Sequence, residues 1–314
     1  MMNQKNKIQT IVATSGFILP VAALIATLLW VAENVYDWSR LLGWLFCGIN
    51  TYLWIETNNT HALMRVRSLM TPSLFVLLVG ITVYLHQLQD AWFVCTFMLI
   101  SYYQLFQSYQ NPSDVGAVFH AFLCIGLGSL FFPQLLYFVP FYLWYSVVFL
   151  RSLSLRGFCA ALVGVVLPYW FAGAYCLAAG KTGWLLEHFS RLIVFQPFDR
   201  MLYASLSVTD MISLAVLVFL VLIGSGHYLK TCFNDKIKTR MFYYLIIAQE
   251  LLLLIFILLQ PVHFRMLYVL FLMNTAPILA HYFVFAKGRF SLILFLCMLM
   301  SFFIIAVLNL WIPL

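Results

Sequence analysis

The chain of 314 residues is 64% hydrophobic and 9% charged, with a mean hydropathy of +0.98. Water-soluble domains carry about 25% charged and about 45–50% apolar residues, so the composition excludes a soluble globular fold and a soluble catalytic domain. The net charge of +7 arises from cations in short loops, where they indicate membrane orientation rather than nucleic-acid binding.

Apolar segments bounded by charges and by Pro, Gly and Asn follow one another along the whole chain, which predicts an all-α bundle of about 10–11 transmembrane helices. In chain order they are Ile11–Val31, Leu41–Ile55, Ser73–His86, Ala91–Tyr109, Val115–Phe132, Leu135–Leu150, Gly157–Ala179, Leu206–Tyr228, Met241–Gln260, Phe264–Ala286 and Phe290–Ile312. The short second and third segments are also compatible with tilted partial spans or a re-entrant pair. No long polar stretch divides the chain, so residues 1–314 are predicted to form a single transmembrane domain.

Lysine and arginine are distributed unevenly between alternate loops of this arrangement. With a cytoplasmic N-terminus, 12 of the 17 fall in cytoplasmic segments and five fall outside. Translocation of Lys and Arg across the membrane is disfavoured. The split therefore predicts a cytoplasmic N-terminus and an external C-terminus.

The longest predicted outer loop, residues 180–205, carries apolar and polar side chains on different sides at helical spacing. The apolar ones are Trp184, Leu185, Phe189 and Leu192, and the polar ones are Glu187, His188 and Arg191. Glu187 and Arg191 stand four residues apart and are expected to form an ion pair. We predict an amphipathic helix that lies on the outer surface of the membrane.

Only two carboxylates fall within the predicted spans, Asp210 and Glu250. Burial of an Asp at the bilayer centre costs at least about 2.5–3.5 kcal/mol, so such groups are expected to face the bundle interior. Glu250 lies near mid-bilayer, and Asn274 and His281 share one face of the next helix at i and i+7. This pattern predicts a proton-coupled path with Asp210 near its outer end. An equally compatible structural interpretation is a protonated Glu250 bonded to Asn274.

Two further polar residues, Asn50 and His120, also lie in predicted spans. His120 belongs to a row spaced by four residues, made of Gly116, His120, Cys124 and Gly128. Small residues at this spacing let two helix backbones approach closely, which favours a helix contact over a binding site.

Motifs of catalysis and cofactor binding are missing from the sequence. The seven cysteines stand singly and the seven histidines show no ligand spacing, so no metal and no cofactor are predicted. There is also no nucleophile elbow and no nucleotide-binding loop. An enzyme is therefore the less favoured interpretation.

Four groups of residues between Asn58 and Gly183 carry a resemblance to a known family. They are Arg65, Arg67 and Pro72, the run Gly126-Leu-Gly-Ser-Leu-Phe-Phe-Pro133, the run Arg151-Ser-Leu-Ser-Leu-Arg156, and Gly164 with Pro168-Tyr169. Over about 40% of its length the chain resembles uncharacterised polytopic inner-membrane proteins of Bacteroidetes, defined by a domain of unknown function. The resemblance implies a cell-envelope setting in the inner membrane of a Gram-negative bacterium, and it implies no activity.

The four arginines of this region, Arg65, Arg67, Arg151 and Arg156, all fall at the predicted cytoplasmic surface. Because Arg binds phosphate bidentately, they are candidates to hold a lipid phosphate, together with Gln104, Gln107 and Tyr109. The alternative is that they only obey the bias of Lys and Arg towards the cytoplasm.

Three functions are compatible with these observations. The first is binding or movement of a phosphate-bearing envelope lipid, such as a polyprenyl-linked intermediate. The second is a non-catalytic scaffold or partner subunit that binds other envelope proteins. The third is proton-coupled transport that uses Glu250. Membrane lipids are expected partners in all three, and nucleic acid in none.

Overall fold

The computed structural model describes residues 15–31, 37–181, 183–193, 206–286 and 289–311. Within these residues every regular element is a helix, which confirms the predicted all-α fold. Residues 11–14 of the first predicted span and residues 194–205 of the predicted surface segment lie outside the described residues.

Twelve α-helices are present in the described part of the chain. They are α1 (Ile18–Val31), α2 (Trp38–His61), α3 (Met70–Ile81), α4 (Asp90–Gln107), α5 (Val115–Phe131), α6 (Val139–Val148), α7 (Leu155–Ala178), α8 (Gly183–Ile193), α9 (Val208–Thr231), α10 (Ile237–Leu259), α11 (Phe264–Phe285) and α12 (Arg289–Trp311). Short 3₁₀ turns occupy Val83–His86, Pro133–Phe138, Cys232–Asn234 and Pro261–His263. The chain forms two compact units, unit 1 from Met1–Gln89 with Asp199–Leu314, and unit 2 from Asp90–Phe198.

Several helices are long and apolar enough to cross a membrane. Four helical segments of the described residues have both the length and the hydropathy of a membrane span: Leu155–Ala178, Val208–Asn234, Ile237–Leu259 and Pro261–Phe285. Four shorter apolar helices accompany them: Ile18–Val31, Met70–Ile81, Val115–Phe131 and Ser291–Val307. The chain is therefore a helical membrane protein. The number of spans and their orientation stay predictions.

Unit 1 is built around α11, which packs against α3, α9 and α10. Every residue from Leu267 to Val284 is buried, as expected for a helix that is apolar on all sides. On the other side of α3 lie α1 and α2. Polar residues on α11 are consequently held among other helices, away from lipid.

The second helix is longer than the sequence pattern indicated. The predicted segment Leu41–Ile55 lies inside α2, which has 24 residues. The side chain of Asp37 caps its first turn by accepting a hydrogen bond from Ser39 N at 3.0 Å. At the other end the helix continues through buried Thr57 and Asn58. Hydropathy misses such a turn because its polar side chains are covered by protein.

Unit 2 is organised by close packing of α5 between α4 and α7. A Cβ atom on Gly126 would lie 2.8 Å from Val165 O, and one on Gly164 would lie 2.8 Å from Phe119 O. These two glycines therefore bring the backbones of α5 and α7 together. Of the predicted contact row, Gly116 approaches no second helix within 4 Å and His120 is exposed. Gly128 is buried, and a Cβ atom there would lie 3.6 Å from Phe97 Cβ on α4.

Candidate functional site

A column of buried polar side chains runs along α11 in unit 1. Tyr268, Asn274, Thr275 and His281 are each at most 2% exposed. Tyr268 and Thr275 are seven residues apart, as are Asn274 and His281, so each pair shares a helix face. Seven residues span about 10 Å along a helix. The column therefore extends over most of the length of α11.

The middle of the column contacts Glu250, which lies on α10 and is 2% exposed. Thr275 Oγ1 donates a hydrogen bond to Glu250 Oε1 at 2.6 Å, and the Asn274 side chain lies beside the same carboxyl group. Glu250 thus faces the bundle interior, as the sequence predicted. Its polar neighbours are neutral, so an ionised carboxylate here has no adjacent counter-ion among the described residues.

The C-terminal end of the column meets a cluster of charged residues, Arg65, Asp235 and His281. Asp235 Oδ1 lies 2.6 Å from Arg65 Nε, and Asp235 Oδ2 lies 3.1 Å from His281 Nε2. The side chains of Asp235 and His281 are each 1% exposed, and that of Arg65 is 36% exposed. A carboxylate this deeply buried is stable as an ion only with close partners of this kind.

Aromatic rings enclose His281 within this cluster. Its ring centroid lies 4.7 Å from Tyr228, 5.1 Å from Tyr243 and 4.6 Å from Phe285. The Arg65 guanidinium lies 4.4 Å from the centroid of the Phe285 ring, a geometry suited to a cation–π interaction. The rings hold the imidazole and the guanidinium on opposite oxygens of Asp235.

Sequence reasoning did not find Asp235. It lies in a loop with four cations, where an acidic residue looks like ordinary surface charge. His281 was expected to line a path with Asn274, and the structure pairs it with Asp235. Arg65 was predicted to hold lipid phosphate, and its Nε contacts Asp235. Both predicted roles stay predictions. Helix spacing predicted the face that His281 occupies, but not the loop that folds against it.

The N-terminal end of the column opens on a small cavity, here named the Asp210 cavity. The volume that the centres of water molecules can occupy in this cavity is about 20 Å³. Polar groups of its lining belong to Thr82, Tyr84, Asp210, Ser213 and Tyr268. Asp210 was predicted to lie near the outer end of a proton path; the structure places it in the lining of this cavity, and the path stays a prediction.

The remaining predicted site residues belong to other parts of the two units. Asn50 is buried in α2, where its Nδ2 donates to Phe46 O at 2.8 Å. Arg67, Arg151 and Arg156 are exposed. Because Arg67 belongs to unit 1 and the other two to unit 2, a shared phosphate site stays a prediction.

In unit 2, the predicted surface helix is present as α8, and its predicted ion pair is confirmed at 2.8 Å between Arg191 Nη2 and Glu187 Oε1. His188 fixes this helix to the rest of the unit. Its Nε2 lies 3.1 Å from Ser129 O and 3.4 Å from Tyr169 Oη. Burial lowers the pKa of His188, opposed by the bond to Ser129 O and aided by the charge of Arg191.

Acidification is expected to release α8. A lowered pKa means that the folded state favours neutral His188. The contribution of His188 to the stability of α8 is therefore complete above the ordinary pKa of about 6.5 and declines as the pH falls below that value. Hydrogen exchange of α8 amides, corrected for intrinsic rates, should rise as the pH falls below about 6.5. His188→Gln should abolish that pH dependence. Replacement of the exposed His120 by Gln should leave it intact, and an unchanged profile in both variants contradicts the assignment.

No group of His, Cys, Asp and Glu in the described residues is arranged to hold a metal ion. All seven cysteines are unbridged, and five of them are buried, in keeping with a packing role. Comparisons with protein-family models, with curated proteins and with solved structures gave no match. The class of the chain is a polytopic helical membrane protein, and its function must be inferred from the column along α11.

Proposed function

We propose that this chain is a proton-coupled transporter of the bacterial inner membrane, in which Glu250 carries the coupling proton. The observation behind the proposal is a carboxyl group buried in the middle of a membrane-spanning helix with only neutral partners. Proton coupling needs a membrane that holds a proton gradient, which fits the inner membrane implied by the family resemblance. Intramembrane carboxyls of this kind recur in proton relays.

The position of Glu250 supports this function. It is the fourteenth of the 23 residues of α10, about 20 Å from the first residue and about 14 Å from the last. Ionisation at this depth requires water or a counter-ion. Thr275 and Asn274 can bond either protonation state because a hydroxyl and an amide each combine donor and acceptor capacity. The group can thus hold a proton while dry and release it when water reaches it.

Groups on both sides of Glu250 extend the proposed route. Towards the C-terminal end of α11, Tyr243 shares a face of α10 with Glu250 at i−7, and its hydroxyl lies 3.4 Å from Pro277 O. The Tyr243 ring then contacts His281. Towards the other end, Tyr268 leads to the Asp210 cavity. Polar groups therefore lie near both ends of α11 as well as beside Glu250 at its middle.

Replacement of Glu250 by Gln tests the proposal, because Gln keeps the shape and the hydrogen-bonding capacity and removes the exchangeable acidic proton. Purified protein is reconstituted into vesicles that contain a pH-sensitive dye. An inside-negative potassium diffusion potential then drives proton uptake. In the absence of cargo, protons that leak through the Glu250 route should make wild type acidify the interior faster than empty vesicles do, and Glu250→Gln should match empty vesicles.

The control is Glu187→Gln on α8, an exposed carboxylate whose loss should leave proton uptake at the wild-type rate. Melting temperatures of all variants verify folding. A folded Glu250→Gln protein that still takes up protons, or a wild type equal to empty vesicles, overturns the proposal. The first result would assign Glu250 a structural role as a hydrogen-bonding core residue.

The lipid and scaffold hypotheses make different predictions for the same preparations. A phosphate-lipid function predicts that Arg151→Ala and Arg156→Ala reduce retention of phospholipid or polyprenyl phosphate. A scaffold predicts that other envelope proteins co-purify in mild detergent. Neither result is required by proton coupling through Glu250.

A further inference from the structure

The Asp210 cavity combines the properties that a buried water site needs. A single water requires about 10–15 Å³ and two to four polar partners, and the cavity provides about 20 Å³. Asp210, Ser213, Tyr84 and Tyr268 line it, and their side chains carry one carboxyl group and three hydroxyls. It therefore has room for one or two water molecules beside groups that bind them.

Hydrogen bonds inside the cavity orient these groups. Ser213 Oγ donates to Asp210 O at 2.9 Å, and the Tyr268 hydroxyl is hydrogen-bonded to Ser213. The Asp210 carboxyl group is half-buried. One further charge stands close by, because the guanidinium of Arg265 lies 5.6 Å from the Tyr84 ring. Tyr84, which lines the cavity, therefore has one cation close by.

The far wall of the cavity approaches Glu250 along α11. Leu272 lines the cavity and lies three residues before Thr275, about 4.5 Å along the helix axis. Thr275 donates the hydrogen bond to Glu250. The lining residue Leu272 therefore lies less than one helical turn from the hydrogen-bond partner of the buried carboxyl.

We propose that the Asp210 cavity is a water-binding access site through which protons reach Glu250 from the N-terminal end of α11. The inference rests on the proposed function of Glu250 and adds its route. Asp210 accepts a proton from bulk water at the mouth. Water held by Ser213 and Tyr268 passes the proton inward, and Leu272 is the apolar barrier that the proton crosses when α11 moves.

Access of water to the cavity is tested by thiol labelling. Asp210→Cys places a thiol at a half-buried position of the lining. It is made in a protein in which the exposed Cys159 and Cys297 are replaced by Ser, and it is treated in vesicles with a charged, membrane-impermeant thiol reagent. The control is Phe219→Cys, nine residues along α9 and so on its opposite face, at a side chain that is 61% exposed and expected to face lipid. The Asp210→Cys protein should react and the Phe219→Cys protein should not.

A second measurement follows the route in the uptake assay. Asp210→Asn removes the acidic group and Ser213→Val removes the hydroxyl, so both should lose most of the proton uptake while keeping the wild-type melting temperature. If Glu250→Gln abolishes uptake but both cavity variants retain it and the Asp210→Cys protein is unreactive, the access site is wrong and the proposed function stands. If Glu250→Gln retains uptake, the proposed function itself fails.

Discussion

Replacing Gly164 by Ala is expected to destabilise the packing of α7 on α5. A Cβ atom at this position would lie 2.8 Å from Phe119 O and 2.9 Å from Leu123 N. Both atoms belong to the backbone of α5, so the helices must separate to admit the methyl group. Overpacking of this kind costs about 1–3 kcal/mol, and the separation also weakens dispersion contacts along the rest of the interface.

The measurement is the melting temperature of the purified protein in detergent, with Gly226→Ala as the matched control. Gly226 also lies in a membrane-spanning helix, and its added Cβ would meet nothing within 4 Å. Because Ala is favoured over Gly by about 0.5–1 kcal/mol in a helix, the control should be neutral or slightly stabilising. Equal melting temperatures for the two variants would show that α5 and α7 tolerate separation.

This glycine contact illustrates what the sequence predicts and what it does not. Hydropathy predicts that α5 and α7 are helices, because each is a run of apolar residues bounded by polar turns. It does not predict which glycines meet, since that depends on the rotation and crossing of two helices distant in sequence. The predicted row through Gly116 and the observed contact at Gly126 lie on different faces of the same helix.

Local patterns predicted α8 and the depth of Glu250, because both depend only on spacing within one helix. A pair such as Glu187 and Arg191 interacts within one helix, so its spacing alone fixes the contact. The depth of Glu250 follows from counting residues along α10. Its hydrogen bond to Thr275, by contrast, needs the rotation of α11 against α10. Sequence reasoning chose the neighbouring Asn274, whose side chain does interact with the same carboxyl group, and did not find Thr275.

Long-range pairing explains the largest gap between sequence and structure. Arg65, Asp235 and His281 are separated by more than 40 residues from one another, and each has a plausible local interpretation as loop charge or helix polarity. The predicted topology places all three at the same membrane surface, so it is compatible with their contact. Which of the many residues at that surface are in contact depends on the tertiary structure, and the sequence pattern does not predict it.

Replacing Asp235 by Ala is expected to be strongly destabilising, because the substitution leaves Arg65 and His281 without their shared carboxylate. Removal of one partner from a buried ion pair costs about 3–5 kcal/mol. We expect a loss at the lower end of this range, since the Arg65 side chain is 36% exposed and water can solvate it when Asp235 is absent. The variant should lose most of its folded yield or melt well below wild type.

A double-mutant cycle with Arg65→Ala separates the pair from general packing. If the ion pair is the source of stability, the double variant should be more stable than Asp235→Ala alone, because no unpaired cation remains. The exposed pair Glu187 and Arg191, whose side chains are 62% to 67% exposed, is the reference, and its cycle should give about 0–1 kcal/mol. A coupling energy at Asp235 no larger than this reference would mean that the cluster is held by its aromatic surroundings, with Asp235 contributing little.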